Sequence, residues 1–209
     1  GVGGVGSQFN VNAVVFFPAA IDVVALAAVD RVHEVPLNRV AAAKRQRYAT
    51  LAAQEGVPYL LFLDGAGYRA TNTLERHPYA PSDLPELAAL SGRVPTVAVV
   101  LGSSAGHGAL TGLMADFLVM LEDACMFAAG PPLVAASLGE TVSKEELGGA
   151  RMHASKSGVC HNLATDEEDA FDIVRRYLSF LPGNAWQQAP TLEGPQTHAR
   201  LLEDILTIV

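Results

Sequence analysis

The stretch VPTVAVVLGSSAGHGALTGLMADFLVML, residues 94–121, decides the fold. Its first nine residues form an apolar run that stops at Gly102, as expected of a strand covered on both faces. Small residues follow, then His107 between two glycines. Residues 107–115 read as a helix and 116–121 as a further strand. A buried strand, a small-residue turn and a helix, followed by another strand, is a unit of an α/β domain.

The same alternation continues on both sides. NAVVFF (12–17) reads as a strand rich in β-branched and aromatic residues. Residues 37–54 have Ala and Leu at helical spacing, with Asn38 as N-cap and Gly56 as stop. PYLLFLD (58–64) is a second buried strand, and GAGYRATNT follows it as a loop. Residues 82–92 read as a helix ended by Gly92, and CMFAAG (125–130) as a short strand. Ser143 with Glu146, and Thr165 with Glu168, have the S/T-x-x-E form of a capping box. The second box opens a helix whose apolar stripe is Ala170, Ile173, Val174, Tyr177, Leu178 and Leu181. After Pro182 the composition turns Pro- and Gln-rich, which reads as a linker.

The chain has 209 residues, half of them hydrophobic, enough for one sizeable core. A formal net charge of −8 argues against nucleic acid, whose phosphates need a basic face. Cys125 and Cys160 lack disulfide-framework or metal-site spacing and read as buried, reduced thiols of a cytoplasmic protein. No apolar run reaches the roughly 20 residues of a membrane span, and the first residues lack the form of a secretory signal. The abrupt ends lead to the expectation of a chain incomplete relative to its natural gene, or of missing disordered pieces.

Two loops share one design. LFLD-GAGYR and VVLG-SSAGHG each leave a buried strand through small residues. Such residues let backbone approach a ligand, and the first amides of a helix have no partners within it. Those amides can hold an anion or a developing oxyanion, although tight packing explains the same pattern. His107 reads as a general base, as the lining of a pocket, or as a structural histidine; no orienting acid stands at a recognisable spacing. Ser103 and Ser104 lack the G-x-S-x-G form of a hydrolase elbow. His153 and His161 lack metal-ligand spacing. Asp64, Asp116 and Asp123 stand at strand ends, where Asp caps or turns the chain. The cations nearest the Gly-rich stretches are Arg69, Arg151 and Lys156, for which a surface role is the simpler reading.

From about Gly56 to Pro182 the chain resembles the carboxyltransferase (beta) subunit of biotin-dependent acyl-CoA carboxylases, of the propionyl-CoA and methylcrotonyl-CoA carboxylase type. LDGAGYR (63–69) is similar to the family's first glycine loop and GSSAGHG (102–108) to its second. ADF (115–117) and MFAAGPPLV (126–134) follow in order. The stretch 139–171, with EELGGA, SGV and DEEDAF, resembles the most recognisable family segment, and YLSFLPGN (177–184) the end of its first domain. The resemblance implies a crotonase-like spiral of ββα units over residues 1–182, poorly matched over 1–55. Residues 183–209 would then be a linker or the start of a second domain.

The implied chemistry is carboxyl transfer from carboxybiotin to an acyl-CoA through a thioester enolate held by backbone amides. Carried over by position, the amides of Gly106 and His107 fall on the second loop and those of Ala66 and Gly67 on the first. Gly65, Arg69, Gly130 and Lys156 are the matching candidates for holding coenzyme A and biotin. The implied partners are a biotin carboxyl carrier protein and a biotin carboxylase subunit, in a homo- or hetero-oligomer.

The sequence departs from the family at three places. His107 stands where the family has glycine, which would strain the backbone if φ were positive there. Leu110-Thr111-Gly112 replaces Tyr-Ser-Pro, and Tyr68 replaces a small residue. A decarboxylase of malonyl-type thioesters and a non-catalytic assembly subunit are the alternatives.

Overall fold

The computed structural model describes residues 12–16, 24–31, 39–65 and 83–188. Among the described residues seven strands form one sheet: β1 (Asn12–Phe16), β2 (Val24–Arg31), β3 (Tyr59–Gly65), β4 (Thr96–Ala105), β5 (Phe117–Leu121), β6 (Cys125–Phe127) and β7 (Asn162–Ala164). Their order is β1-β2-β3-β4-β5-β7, with β6 also paired to β4. Among these strands β1 runs antiparallel to β2, and the other strand pairings are parallel. The helices among the described residues are α1 (Arg39–Glu55), α2 (Leu84–Ala88), α3 (His107–Leu113), α4 (Pro131–Leu138), α5 (Lys144–Gly148), α6 (Ala150–Met152) and α7 (Glu167–Ser179), with a π-turn at His153–Ser157.

The ten residues of β4 change partner half-way, and this builds the site. Val97–Val100 pair with β5, whereas Ser103–Ala105 leave it and pair with β6. On the other edge the register with β3 slips: Leu63 faces Val100, but Gly65 faces Ser104. Leu101, Gly102 and Ser103 therefore stand opposite Asp64 alone, an irregularity of the kind that bends a strand and redirects its end. Gly102 permits it, because a Cβ there would lie 2.3 Å from the Asp64 carboxylate.

The core follows the apolar patterns of the sequence. Leu60 to Leu63, Val97 to Val100 and Leu118 to Met120 are almost fully buried, as strands with both faces covered require. Along α7, Ala170, Val174 and Leu178 are buried, and Ile173, Tyr177 and Leu181 pack partly against them. Phe117 of β5 stacks on Tyr177 at 4.2 Å between ring centroids. Both cysteines are free and buried. Among the described residues no helix is long and apolar enough to cross a membrane.

Two local readings change. The helix expected over 82–92 is regular only over Leu84–Ala88; the chain then turns towards Gly92 at φ +71°. The Ser143–Glu146 capping box is present with both of its bonds. The Thr165–Glu168 box is not: Asp166 is the N-cap and accepts from the N–H of Asp169 at 2.9 Å. Thr165 instead donates its N–H to the Asp169 carboxylate. An aspartate one position later, with its acceptor in reach of the N3 amide, takes the role the hydroxyl was expected to play. The short β7, α4 and the π-turn carried no periodic signal long enough to be read.

Candidate functional site

At the C-terminal end of β4 the chain reverses through Gly106, at φ +60° and ψ −117°, a conformation open essentially to glycine alone. The Gly106 N–H donates to the carbonyl of Phe127 at 3.0 Å, and its carbonyl accepts from Leu110 N at 3.1 Å. The Gly106 amide, expected from the sequence as an oxyanion donor, is thus bonded to β6 in this structure. His107 is the first residue of α3 and takes a helical conformation. The strain expected of a histidine in a glycine position does not arise, because the positive φ lies one residue earlier.

α3 lies on the sheet at glycine distance. A Cβ on Gly108 would come within 2.7 Å of Ser104 Oγ, and one on Gly112 within 3.0 Å of Leu63. Thr111 turns its hydroxyl back to the Gly108 carbonyl at 2.8 Å, while Leu110 faces outward. The departure at 110–112 is therefore partly a packing solution: Gly112 lets the helix settle on β3 and β6.

The His107 imidazole is not open to the rim. Its side chain is 8 % exposed, and Nε2–H donates to Asp83 Oδ1. Asp83 Oδ2 pairs with Arg45 Nη2 at 2.6 Å, and these two side chains are 0 % and 2 % exposed. Burial pushes the Asp83 carboxyl up, but the bond from His107 and the charges of Arg45 and His107 outweigh it and hold it below the usual range. Asp83 occupies the N-cap position of α2, yet its side chain makes no capping bond there. The carboxylate serves the tertiary contact instead. Sequence reading missed this acid, since Arg45, Asp83 and His107 come from three separate segments. One signal was available: Arg45 shares the inward face of α1 with Ala42, Ala49 and Ala52, all buried, and an arginine inside an alanine stripe needs a buried partner.

β6 is gripped from its other side. His153 Nε2–H donates to the Met126 carbonyl at 2.7 Å, its Nδ1 lies 2.8 Å from Ser157 Oγ, and Ala150 N donates to Ala124 O at 3.0 Å. The histidine outside any metal motif thus ties the π-turn to the strand that holds Gly106. Asp116 joins the starts of β4 and β5, accepting from Thr96 N at 2.8 Å and from Thr96 Oγ1 at 2.7 Å. It is a structural end residue, as its position at a strand end suggested.

Gly65, Gly106, His107 and Gly130 come together at the C-terminal ends of β3, β4 and β6. Gly65 faces Ser104 across the sheet, and Gly130 opens α4, where a Cβ would lie 3.3 Å from the Phe127 ring. Lys156 is exposed in the π-turn, and its charge helps, after the Ser143 bonds, to hold the Glu146 carboxyl low. Ala66, Gly67 and Arg69 lie outside the described residues.

Residues 22–209 match the model of the carboxyl transferase domain. The chain belongs to the carboxyl transferase family. It is 36 % identical over 172 residues to the biotin-dependent acetyl-/propionyl-coenzyme A carboxylase beta5 subunit of Mycobacterium leprae, covering 82 % of this chain and 31 % of that protein. Its fold is similar to transcarboxylase 12S, a hexamer seen with methylmalonyl-coenzyme A bound (TM-score 0.67, 31 % identity, 76 % of this chain and 31 % of that one). It is similar also to the beta subunit of geranyl-CoA carboxylase from P. aeruginosa (TM-score 0.68, 28 % identity, 84 % and 33 %). The fold is thus the crotonase-like one of this carboxyl transferase family. The chain spans about a third of the length of the relatives it matches.

Proposed function

We propose that this chain forms the first-domain part of a carboxyltransferase that moves a carboxyl group from carboxybiotin to an acyl-CoA. The observation that carries the reading is the Gly106 turn: backbone at the C-terminal ends of parallel strands, bonded to β6 on one side and leading into α3 on the other. The donors to the enolate oxygen are then the amides of His107 and Gly108 in the first turn of α3. Donors fixed in advance need no reorganisation when charge develops, and one such donor is worth about 2.7–4 kcal/mol of barrier.

The residues at the rim fit a flat thioester. Gly102, Gly106 and Gly130 are half-buried and without side chains, and the imidazole is turned inward to Asp83. Carboxybiotin, delivered by a biotin carboxyl carrier protein loaded by a biotin carboxylase subunit, supplies the carboxyl group. Ala66 and Gly67 carry the first-loop part, and Gly65, Gly130, Arg69 and Lys156 hold the coenzyme A and biotin side. The exposed Leu110 and Leu113 of α3 and Leu133 and Leu138 of α4 suit an oligomer that covers them. The compartment that fits two reduced thiols is the cytoplasm.

Labelled bicarbonate, ATP, the carboxylase with its carrier, and a panel of acyl-CoAs test the proposal. A labelled acyl-CoA acid is expected. Absence of label from every acyl-CoA, or release of CO2 from a malonyl-type thioester without ATP, overturns it.

A further inference from the structure

The buried contact behind the glycine turn is built from three helices. Arg45 stands on α1, Asp83 immediately before α2, and His107 at the start of α3. Asp83 Oδ2 lies 2.6 Å from Arg45 Nη2, and Oδ1 accepts from His107 Nε2. Taking charges out of water is costly and is recovered only with close partners. Such an arrangement holds its members in one geometry, because any displacement leaves a buried charge uncompensated.

The position of the contact matters more than its strength. His107 is the residue directly after the positive-φ glycine, and Gly106 is bonded to Phe127 on its other side. Two fixed points therefore bracket one peptide unit: the Gly106 N–H on β6 and the His107 imidazole on Asp83. The unit between them carries the His107 amide. A glycine at 107, as the family pattern has, offers no side chain for the second point.

We propose that Asp83 and the His107 side chain, backed by Arg45, are positioning residues for carboxyl transfer: they fix the direction of the amides in the first turn of α3. This rests on the carboxyltransferase reading above. The imidazole acts as a tether and takes no substrate proton. Glutamine at 107 has an amide N–H that reaches towards Asp83, so it restores the tether in part; alanine does not.

The test uses the assembled carboxylase with its carrier, comparing wild type, His107→Ala and His107→Gln. The Arg45–Asp83 pair stays in both variants. A tether that orients a transition-state donor affects kcat with little change in KM for the acyl-CoA. His107→Ala should lose kcat by about 100-fold, the scale of a misplaced catalytic group, with His107→Gln recovering most of it. Magic-angle-spinning NMR of 15N-histidine-labelled protein should show one imidazole protonated at Nε2 with a proton shifted far downfield, absent in His107→Ala and moved in Asp83→Asn. An active wild type with an equally active His107→Ala variant overturns the proposal, as does a loss confined to KM or the absence of that imidazole signal. A wild type that carboxylates no acyl-CoA fails differently: it overturns the functional reading, and the positioning role falls with it.

Discussion

The N–H of Gly106 donates to the carbonyl of Phe127 at 3.0 Å, so the turn between β4 and α3 is bonded to β6 as well as to its own helix. Because Gly106 sits at φ +60° and ψ −117°, an added methyl group strains the backbone wherever there is space for it. Gly106→Ala should cost about 1–3 kcal/mol of stability and disturb the Phe127 bond. Urea unfolding reads the first effect. Turnover should fall by more than the stability loss explains, measured where the variant remains folded.

Acid should find the buried pair. The Asp83 carboxyl is held below its unfolded value of about 3.9. A depressed carboxyl contributes stability that is fully present above the unfolded value and is lost as pH falls through the folded one. Wild-type stability should therefore decline below about pH 4 more steeply than that of Asp83→Asn. At pH 7 the variant, which leaves Arg45 facing a neutral amide, should be less stable by about 3 kcal/mol. Urea titrations at pH 7 and in the acid range check both; parallel profiles for the two proteins contradict the assignment.

The Met126 carbonyl is a shared point. A Cβ at position 148 would lie 2.1 Å from it, and His153 Nε2 bonds it at 2.7 Å. Gly148→Ala must push β6 or α5 aside and should destabilise by at least about 1–3 kcal/mol. His153→Ala should cost about 1–3 kcal/mol through the lost bond to the buried carbonyl. Since both act on one carbonyl, the double variant should fall short of the sum. Full additivity in a double-mutant cycle would contradict the shared contact.

The start of α7 offers a small, clean comparison. Asp166→Ala removes the side chain that accepts from Asp169 N and should cost about 1 kcal/mol. Thr165→Ala keeps the Thr165 N–H bond to Asp169 and loses only a 3.3 Å hydroxyl contact, so its effect should be distinctly smaller. Thermal unfolding of the two variants ranks them.

The buried strands and the stripe on α7 were legible because apolar runs and period-3.6 patterns are local. The partner change of β4 was not, since nothing in residues 96–105 states that Ser103–Ala105 leave β5 for β6. The strand was expected to end at Gly102 but runs on to Ala105, and the Gly106 amide at the turn is bonded to Phe127. That bond links positions 106 and 127 and depends on the sheet being assembled. His107 shows the same limit more sharply. Its orienting acid lies 24 residues away at the start of a helix it does not cap, and the arginine behind it hides in an alanine stripe. Pairing across segments, not residue type, makes the contact.

Single-turnover transfer tests the central claim most directly. A carrier bearing 13C-labelled carboxybiotin is mixed with the assembled protein and an acyl-CoA, without ATP or bicarbonate, and the coenzyme A thioesters are read by mass spectrometry. The account predicts that the label appears in a carboxylated acyl-CoA, and that Gly106→Ala slows its appearance. Label released only as CO2, with every acyl-CoA unchanged, would contradict it.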